Sequence, residues 1–261
     1  MNSDQLGYTD ARPLQVRVSD EIRASIENGE LEPGQQLPTL EELARDYLCS
    51  LAVVRKALDL LRQQGLVITR QGKGSYVRKR PSLARHSMER YAKSRWQGKE
   101  ASTILDAEAK SQGKKATRII RELGKVAAPT KVAEGLNLEK GATVWTRKRT
   151  TFLDGRPNQL ADSYYPLEIA EGTALTAEET GPGGDFARLD DAGHTPTRIR
   201  EEWHVRMPTG PEAGALRLPP GTPVIDFART ILDQDDRPVE VMLSVIAGDT
   251  ASFVYEFRVP D

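Results

Sequence analysis

Residues 37–77 read LPTLEELARDYLCSLAVVRKALDLLRQQGLVITRQGKGSYV. Leu40, Leu43, Ala44 and Tyr47 recur at helical spacing, which predicts a short helix over 39–47 with one apolar face. Leu48, Cys49 and Ser50 break the pattern, and Ser50 is placed to cap a following helix through its hydroxyl. That second helix is predicted over 51–64. Val54, Leu58 and Leu61 fall at i, i+4 and i+7 and turn inward, leaving Arg55, Lys56 and Arg62 to point outward. Gly65 offers the left-handed residue that stops it. Two β-prone runs, 66–69 and 75–77, flank Arg70, Gln71, Gly72, Lys73 and Gly74, a basic glycine-rich tip suited to lie against phosphates. Helix, turn, helix and hairpin in this order predict a winged helix-turn-helix.

Working outward, 14–28 is an amphipathic helix ended by Gly29, and Pro33 with Gly34 marks a turn. Residues 1–12 are expected to be a disordered tail without a signal-peptide pattern. With 261 residues the chain has room for two domains. The expected division is 11–80 for the DNA-binding domain, 81–100 for a linker and 101–261 for a second domain. The net charge of −1 hides an asymmetry: residues 55–99 hold thirteen Lys or Arg against Asp59 and Glu89, whereas 101–261 hold twenty basic against twenty-five acidic residues. A basic segment on an otherwise acidic chain is the electrostatic footprint of a nucleic-acid module. No run of about 18 apolar residues exists, so no transmembrane helix is expected. The lone Cys49 fits a reducing cytoplasm and reads as a packing residue; one cysteine and three histidines argue against a metal site.

Residues 82–100 interleave Arg85, Arg90, Tyr91, Arg95 and Trp96, a basic and aromatic run read mainly as linker, with direct DNA contact as the other reading. Residues 101–115 read weakly as loop or strand. Beyond them a strand is expected over 117–123, a helix over 130–136, a hairpin from 144–153 and 158–165, a strand over 199–206 and a helix over 211–217. Strands 224–232, 239–248 and 252–258 complete an antiparallel meander. The fold class expected is therefore α+β. Arg147 and Arg149 lie two apart on a strand and face one side, where two guanidiniums suit a phosphate or carboxylate. A surface pair in cross-strand salt bridges is the alternative.

The N-terminal pattern resembles the winged helix-turn-helix of the GntR family of bacterial transcription regulators. The match runs without a gap from Pro13 to Val77 through Gly29, Pro33, Gly34, Leu37, Pro38, Val54, Arg55, Leu58, Gly65 and Gly72. The resemblance implies a double-stranded DNA operator and a homodimer on a palindrome. Residues expected at DNA are Thr39 on the preceding helix, Ser50, Val53, Arg55 and Lys56 at the recognition helix, and Arg70, Gln71, Gly72, Lys73 and Gly74 at the hairpin tip. Two positions depart from the family: Leu51 stands where an arginine is usual, and Leu40 where a glutamate is usual.

The second half is similar to the UTRA ligand-binding domain of the HutC subfamily, whose fold is shared with chorismate lyase. The carriers include Thr146 to Arg149, Asp154 to Pro157, Ser163 to Pro166, Leu218 to Val224, Arg229, Arg237 to Glu240, and Gly248 with Asp249. The resemblance implies a small-molecule site with Arg147 and Arg149 in an anion pocket and Glu240 holding hydroxyl or amine groups. Asp162 stands beside Ala161, near which the family often has a glutamate. Tyr164 and Tyr165 are candidates to wall the pocket, with core packing as the other reading of each, and Tyr164 is the one taken as a ligand contact. The reading is a ligand-responsive regulator, a repressor released from its operator by a small-molecule effector, anionic being one class the arginines allow and the class itself left open. The alternatives are a constitutive DNA-binding dimer and a lyase-like enzyme. His86, His194 and His204 are scattered and offer no nucleophile–base pair, and the run from Gly181 to Gly184 reads as a mobile loop lacking the Lys–Ser/Thr of a phosphate cradle. No catalytic residue, cofactor, metal or membrane contact is expected.

Overall fold

The computed structural model describes residues 11–79, 83–86, 88–98, 101–256 and 259. Residues 1–10 of the expected tail, the boundary at Pro81 and the end of the last expected strand lie outside them. The chain divides into two compact units, 1–80 with 219–222, and 81–218 with 223–261.

In the first unit, α1 is Leu14–Glu27, α2 Leu40–Asp46 and α3 Leu51–Gln63, followed by β1 (Val67–Arg70) and β2 (Gly74–Val77). Val18, Ile22, Leu43, Val54, Leu58 and Leu61 converge on one core, each 4% exposed or less. Burying each such side chain is worth about 1.5–3 kcal/mol, which is what fixes α3 against α1 and α2. Ser50 caps α3 by accepting from the Val53 amide at 3.4 Å. Gly65, at φ +66°, ends the helix, and the Leu66 amide returns to the Leu61 carbonyl at 2.9 Å.

In the second unit, β3 (Leu83–His86), a 3-10 turn (Glu89–Tyr91), α4 (Lys93–Trp96) and α5 (Ile104–Ser111) precede the main sheet. Then come β4 (Ala116–Ala127), α6 (Thr130–Gly135), β5 (Thr143–Leu153), β6 (Arg156–Pro166), α7 (Leu167–Ala170), a 3-10 turn (Ala174–Thr176) and α8 (Gly184–Asp191). The chain continues through β7 (Arg198–Arg206), α9 (Gly210–Ala215), β8 (Val224–Leu232), β9 (Pro238–Ala247) and β10 (Ala251–Val254). Six strands form one antiparallel sheet in the order β4-β5-β6-β9-β8-β7.

This sheet is built from a repeat. The order β4-α6-β5-β6 recurs as β7-α9-β8-β9. Sequence follows the repeat: Leu136, Leu138, Gly141, Val144, Arg149 and Thr150 correspond to Leu216, Leu218, Gly221, Val224, Arg229 and Thr230. Asn137 and Arg217, which match within it, share a positive φ of +56° and +52°. The halves meet where β6 pairs β9, with Ala161 opposite Ser244, Asp162 opposite Leu243 and Ser163 opposite Met242. A local two-fold therefore runs through the Asp162–Leu243 pair and places Arg149 and Arg229 on equivalent strand positions.

Three expectations need correction. Residues 83–98 are not a linker: Leu83 and Trp96 are 0% and 1% exposed, and Trp96 packs with Phe186, Leu189 and Ile169. A basic run hides its aromatic residues in a core because arginines at the same segment find buried anions, Arg90 reaching Glu108 at 3.1 Å. The last strand does not extend the meander; β10 pairs β3 in parallel, in a separate two-stranded sheet. The stretch read as loop or strand contains α5, because Thr103 caps it at the Asp106 amide and Ile104, Glu108 and Ala109 fall on its buried side.

Replacing Trp96 by alanine should cost about 3–5 kcal/mol, as for other fully buried large side chains. Urea unfolding followed by circular dichroism measures this; a change under 0.5 kcal/mol, about the level of an exposed position, would restore the linker reading.

Candidate nucleic-acid interface and effector pocket

The exposed face of α3 carries Leu51, Ala52, Arg55, Lys56 and Asp59. Asp59 is engaged by Arg62 one turn on, whereas no ion pair among the described residues engages Arg55 or Lys56. The hairpin tip is open: Arg70 to Gly74 are all exposed, Gly72 and Gly74 take φ of +70° and +89°, and the Lys73 amide closes the turn on the Arg70 carbonyl at 2.9 Å. Gln36 latches this wing, donating to the Lys73 carbonyl at 3.1 Å and accepting from the Tyr76 hydroxyl at 3.2 Å. Sequence reading missed Gln36; its only local signal is an amide two residues before the Pro38 turn. The Arg70 guanidinium rests 4.6 Å from the Tyr76 ring centroid.

Three residues expected at DNA have other work. Thr39 and Glu42 form a capping box on α2, the Thr39 hydroxyl donating to Glu42 at 2.8 Å. The Ser50 hydroxyl is the α3 cap, and Val53 is half-buried against the core. Arg55, Lys56, Arg70, Gln71, Gly72, Lys73 and Gly74 share exposure; Thr39 and Ser50 are exposed too, the Thr39 hydroxyl donating and accepting within the capping box and the Ser50 hydroxyl accepting one amide.

In the second unit one face of the sheet lines an open cleft, about 680 Å³ of free space with the adjoining solvent included. Arg85, Arg90, Arg118, Arg149 and Arg229 all contribute to it, with Asp185 and Phe186 of α8 as one wall. Arg149 donates to Asp185 at 2.9 Å and to the Ser163 hydroxyl at 2.8 Å. Arg229, its counterpart in the repeat, donates to Glu240 at 2.6 Å, and the Tyr165 hydroxyl donates to the other Glu240 oxygen at 3.1 Å. Arg85 donates to Gln159 at 2.8 Å. Burial, then repulsion from Arg90, lowers Arg85 to about 10, so it stays charged at neutral pH. Burial also opposes charge on Arg149 and Asp185, but each stabilises the other: Arg149 is held above the usual guanidinium value and Asp185 below the usual carboxyl value. Arg229 is likewise raised, with Glu240 outweighing its burial. Burial raises Glu108, and Arg90 and Arg85 only partly offset it.

The expected ligand set is divided by strand alternation. Arg147, Arg149 and Glu240 share the cleft face, but Asp162 and Tyr164 point to the other one. Asp162 there pairs Arg121, and Tyr164 packs against Val132 and Leu136. Tyr165, the neighbour, occupies the site face and is fully buried. Arg147 is buried as well, yet it is spent on the carbonyls of Ala177 and Glu178 and does not line the cleft. Arg229 was missed as a site residue; the internal repeat was the signal that could have found it. The 181–184 run is the turn into α8, where Gly183 at φ +78° would put a Cβ 2.3 Å from the Trp96 carbonyl oxygen. His194 meets Asp233 at 2.8 Å, and Asp233 also accepts from the backbone amides of Asp235 and Arg237, so this pair organises the β8–β9 turn.

Residues 14–77 match the gntR family of bacterial regulatory proteins and 111–252 the UTRA domain. An HTH-type transcriptional regulator of Streptomyces coelicolor is 34% identical over 253 residues, covering 95% of this chain and 94% of its own. The chain belongs to the GntR family, with a UTRA domain. The HTH-type transcriptional repressor NagR of Bacillus subtilis is 24% identical over 93% of this regulator and 94% of its own length. A crystal structure of a GntR-family transcriptional regulator superposes with a TM-score of 0.65 at 26% identity, covering 95% of this chain and 99% of that one. PhnF from Mycobacterium smegmatis shares the fold, with a TM-score of 0.58 at 23% identity over 93% and 100% of the two chains. This GntR regulator is thus a ligand-responsive DNA-binding protein, its helix-turn-helix in the first unit and its effector domain in the second. Among the described residues no helix is long and apolar enough to cross a membrane, and no group of three or more His, Cys, Asp or Glu could hold a metal.

Two arginines on one strand face should then behave differently. Arg149→Ala should abolish the stabilisation that an added anion gives the protein, and Arg147→Ala should lower the melting temperature while leaving that increment intact. Thermal unfolding in chloride against inorganic phosphate measures both; equal phosphate increments in the two variants would reverse the assignment.

Proposed function

We propose that this regulator is a cytoplasmic, homodimeric repressor of the HutC type without enzymatic activity, released from a palindromic operator when a small anion enters the cleft. The observation that carries the reading is the convergence of Arg85, Arg90, Arg118, Arg149 and Arg229 on one cleft. A related protein is named a repressor, which favours repression as the outcome. Arg55, Lys56, Arg70 and Lys73 contact the operator, Arg55 at a base edge and Lys73 at phosphate. In the cleft an incoming phosphate or carboxylate competes with Asp185 for Arg149, whereas Glu240, expected to hold a hydroxyl or amine, is fully buried behind the lining and serves to hold Arg229 and Tyr165. Displacing Asp185 acts on α8, whose first turn carries it. Release requires that the anion bind the DNA-incompetent state more tightly, by about 1–3 kcal/mol or roughly 5–150-fold.

The test is fluorescence anisotropy with duplexes tiling the gene's own flanks at about 50 and 200 mM salt, where a clamp on several phosphates loses orders of magnitude. One short palindrome should bind in a salt-sensitive way, and Arg55→Ala should weaken it by about tenfold or more. Phosphomonoesters and carboxylates, screened beside their neutral parent compounds, should include one that lowers operator affinity in wild type and not in Arg149→Ala. If only neutral compounds act, the anionic effector is wrong; if nothing acts on a bound operator, the dimer is constitutive.

A further inference from the structure

We propose that Leu51, supported by Ala52, is a specificity residue that reads the C5-methyl group of thymine in the major groove. The first turn of α3 is unusual for a helix that reads DNA. In helix-turn-helix proteins the first residues of the second helix reach the base edges. Here those residues are Leu51, Ala52, Val53 and Val54, and none has a hydrogen-bonding side chain. Val54 is buried and Val53 half-buried, so only Leu51 and Ala52 are presented outward. Ser50, just before the helix, spends one acceptor lone pair on the Val53 amide, which holds its hydroxyl at the cap. Leu51 is 38% exposed, with Leu48 of the preceding turn exposed at 91%. It stands one turn before Arg55 on the same helix face, next to Arg55 and Lys56, which no ion pair among the described residues engages.

A major-groove edge offers donors, acceptors and one apolar feature, the thymine methyl. An apolar first turn makes no hydrogen bond to guanine, adenine or cytosine edges and leaves their polar groups facing a leucine. Against thymine it buries a methyl group. Sequence choice at this position therefore comes from apolar contact, and Arg55 supplies the hydrogen-bonded base contact one turn later. The argument deepens the DNA-binding reading and depends on it.

The experiment uses the full-length protein and a randomised duplex pool. Selected duplexes should carry a fixed thymine in each half-site. Replacing that thymine by deoxyuridine removes the methyl and keeps every base-pairing atom. It should weaken binding by about fourfold per half-site, the worth of one buried methyl. In Leu51→Ala the same replacement should make no difference, although the variant still binds DNA through Arg55 and the wing. Leu51→Arg should shift the selected base from thymine to guanine. Enrichment of a palindrome in which deoxyuridine is neutral at every thymine, or equally harmful in wild type and Leu51→Ala, overturns the proposal and leaves operator binding standing. A pool that yields no enriched sequence overturns both.

Discussion

A guanidinium taken out of water needs hydrogen-bond acceptors within reach, neutral oxygens for Arg85 and Arg147 and carboxylates for Arg149 and Arg229, and the second unit is arranged around that requirement. Arg149 and Arg229 sit on the inner strands of a six-stranded sheet, where solvent cannot compensate them. Asp185 has to come from α8 to satisfy the first, and Glu240 from the neighbouring strand to satisfy the second. Each anion then brings its own supports. Asp185 fixes the start of α8, which is seated by the glycine at 183 against the Trp96 carbonyl. Glu240 recruits Tyr165, and Phe186 closes over Arg229 at 5.2 Å. Removing one partner of such a pair strands a buried charge, which typically costs 3–5 kcal/mol, so the pairs specify the wall positions more strictly than apolar packing would.

The duplication explains why there are two such arginines. A strand-helix-strand-strand half that joins its copy across β6 and β9 places equivalent residues symmetrically about the junction. Arg149 and Arg229 are one position in two copies, with different anions. Asp185 comes from a helix inserted after the first copy, whereas Glu240 is internal to the second. Symmetry built the cationic floor, and the insertion made it asymmetric, as a site for a single small molecule requires.

The helix-turn-helix was legible because its pattern is local. Capping hydroxyls, the i, i+4, i+7 stripe of Val54, Leu58 and Leu61, and the glycine stop each act within a few residues. Elements fixed by partners far along the chain were not. Residues 83–86 find β10 some 165 residues later, and nothing near Trp96 announces Phe186. Within the effector site the limiting fact was alternation: choosing Tyr164 over Tyr165 selects the wrong face of the sheet, since adjacent strand residues point oppositely. Arg147 passed the alternation test and still failed to line the cleft, because its guanidinium is consumed by the carbonyls at 177 and 178, a loop no local pattern connects to it.

The two units treat positive charge in opposite ways, and the difference follows from solvent. Arg55, Lys56 and Lys73 are exposed, so an unpaired cation there is stabilised by water and can wait for a polyanion without harm to folding. In the cleft Arg149 and Arg229 are largely withdrawn from water and are paired with Asp185 and Glu240 before any ligand arrives. DNA binding can therefore be tuned by adding or removing single surface cations, each acting nearly alone. Effector binding cannot: a ligand anion exchanges with Asp185 rather than adding to it, so its affinity is a difference between two ion pairs. That exchange ties occupancy of the cleft to the position of α8, and a site of pre-paired charges is by construction one in which binding moves structure.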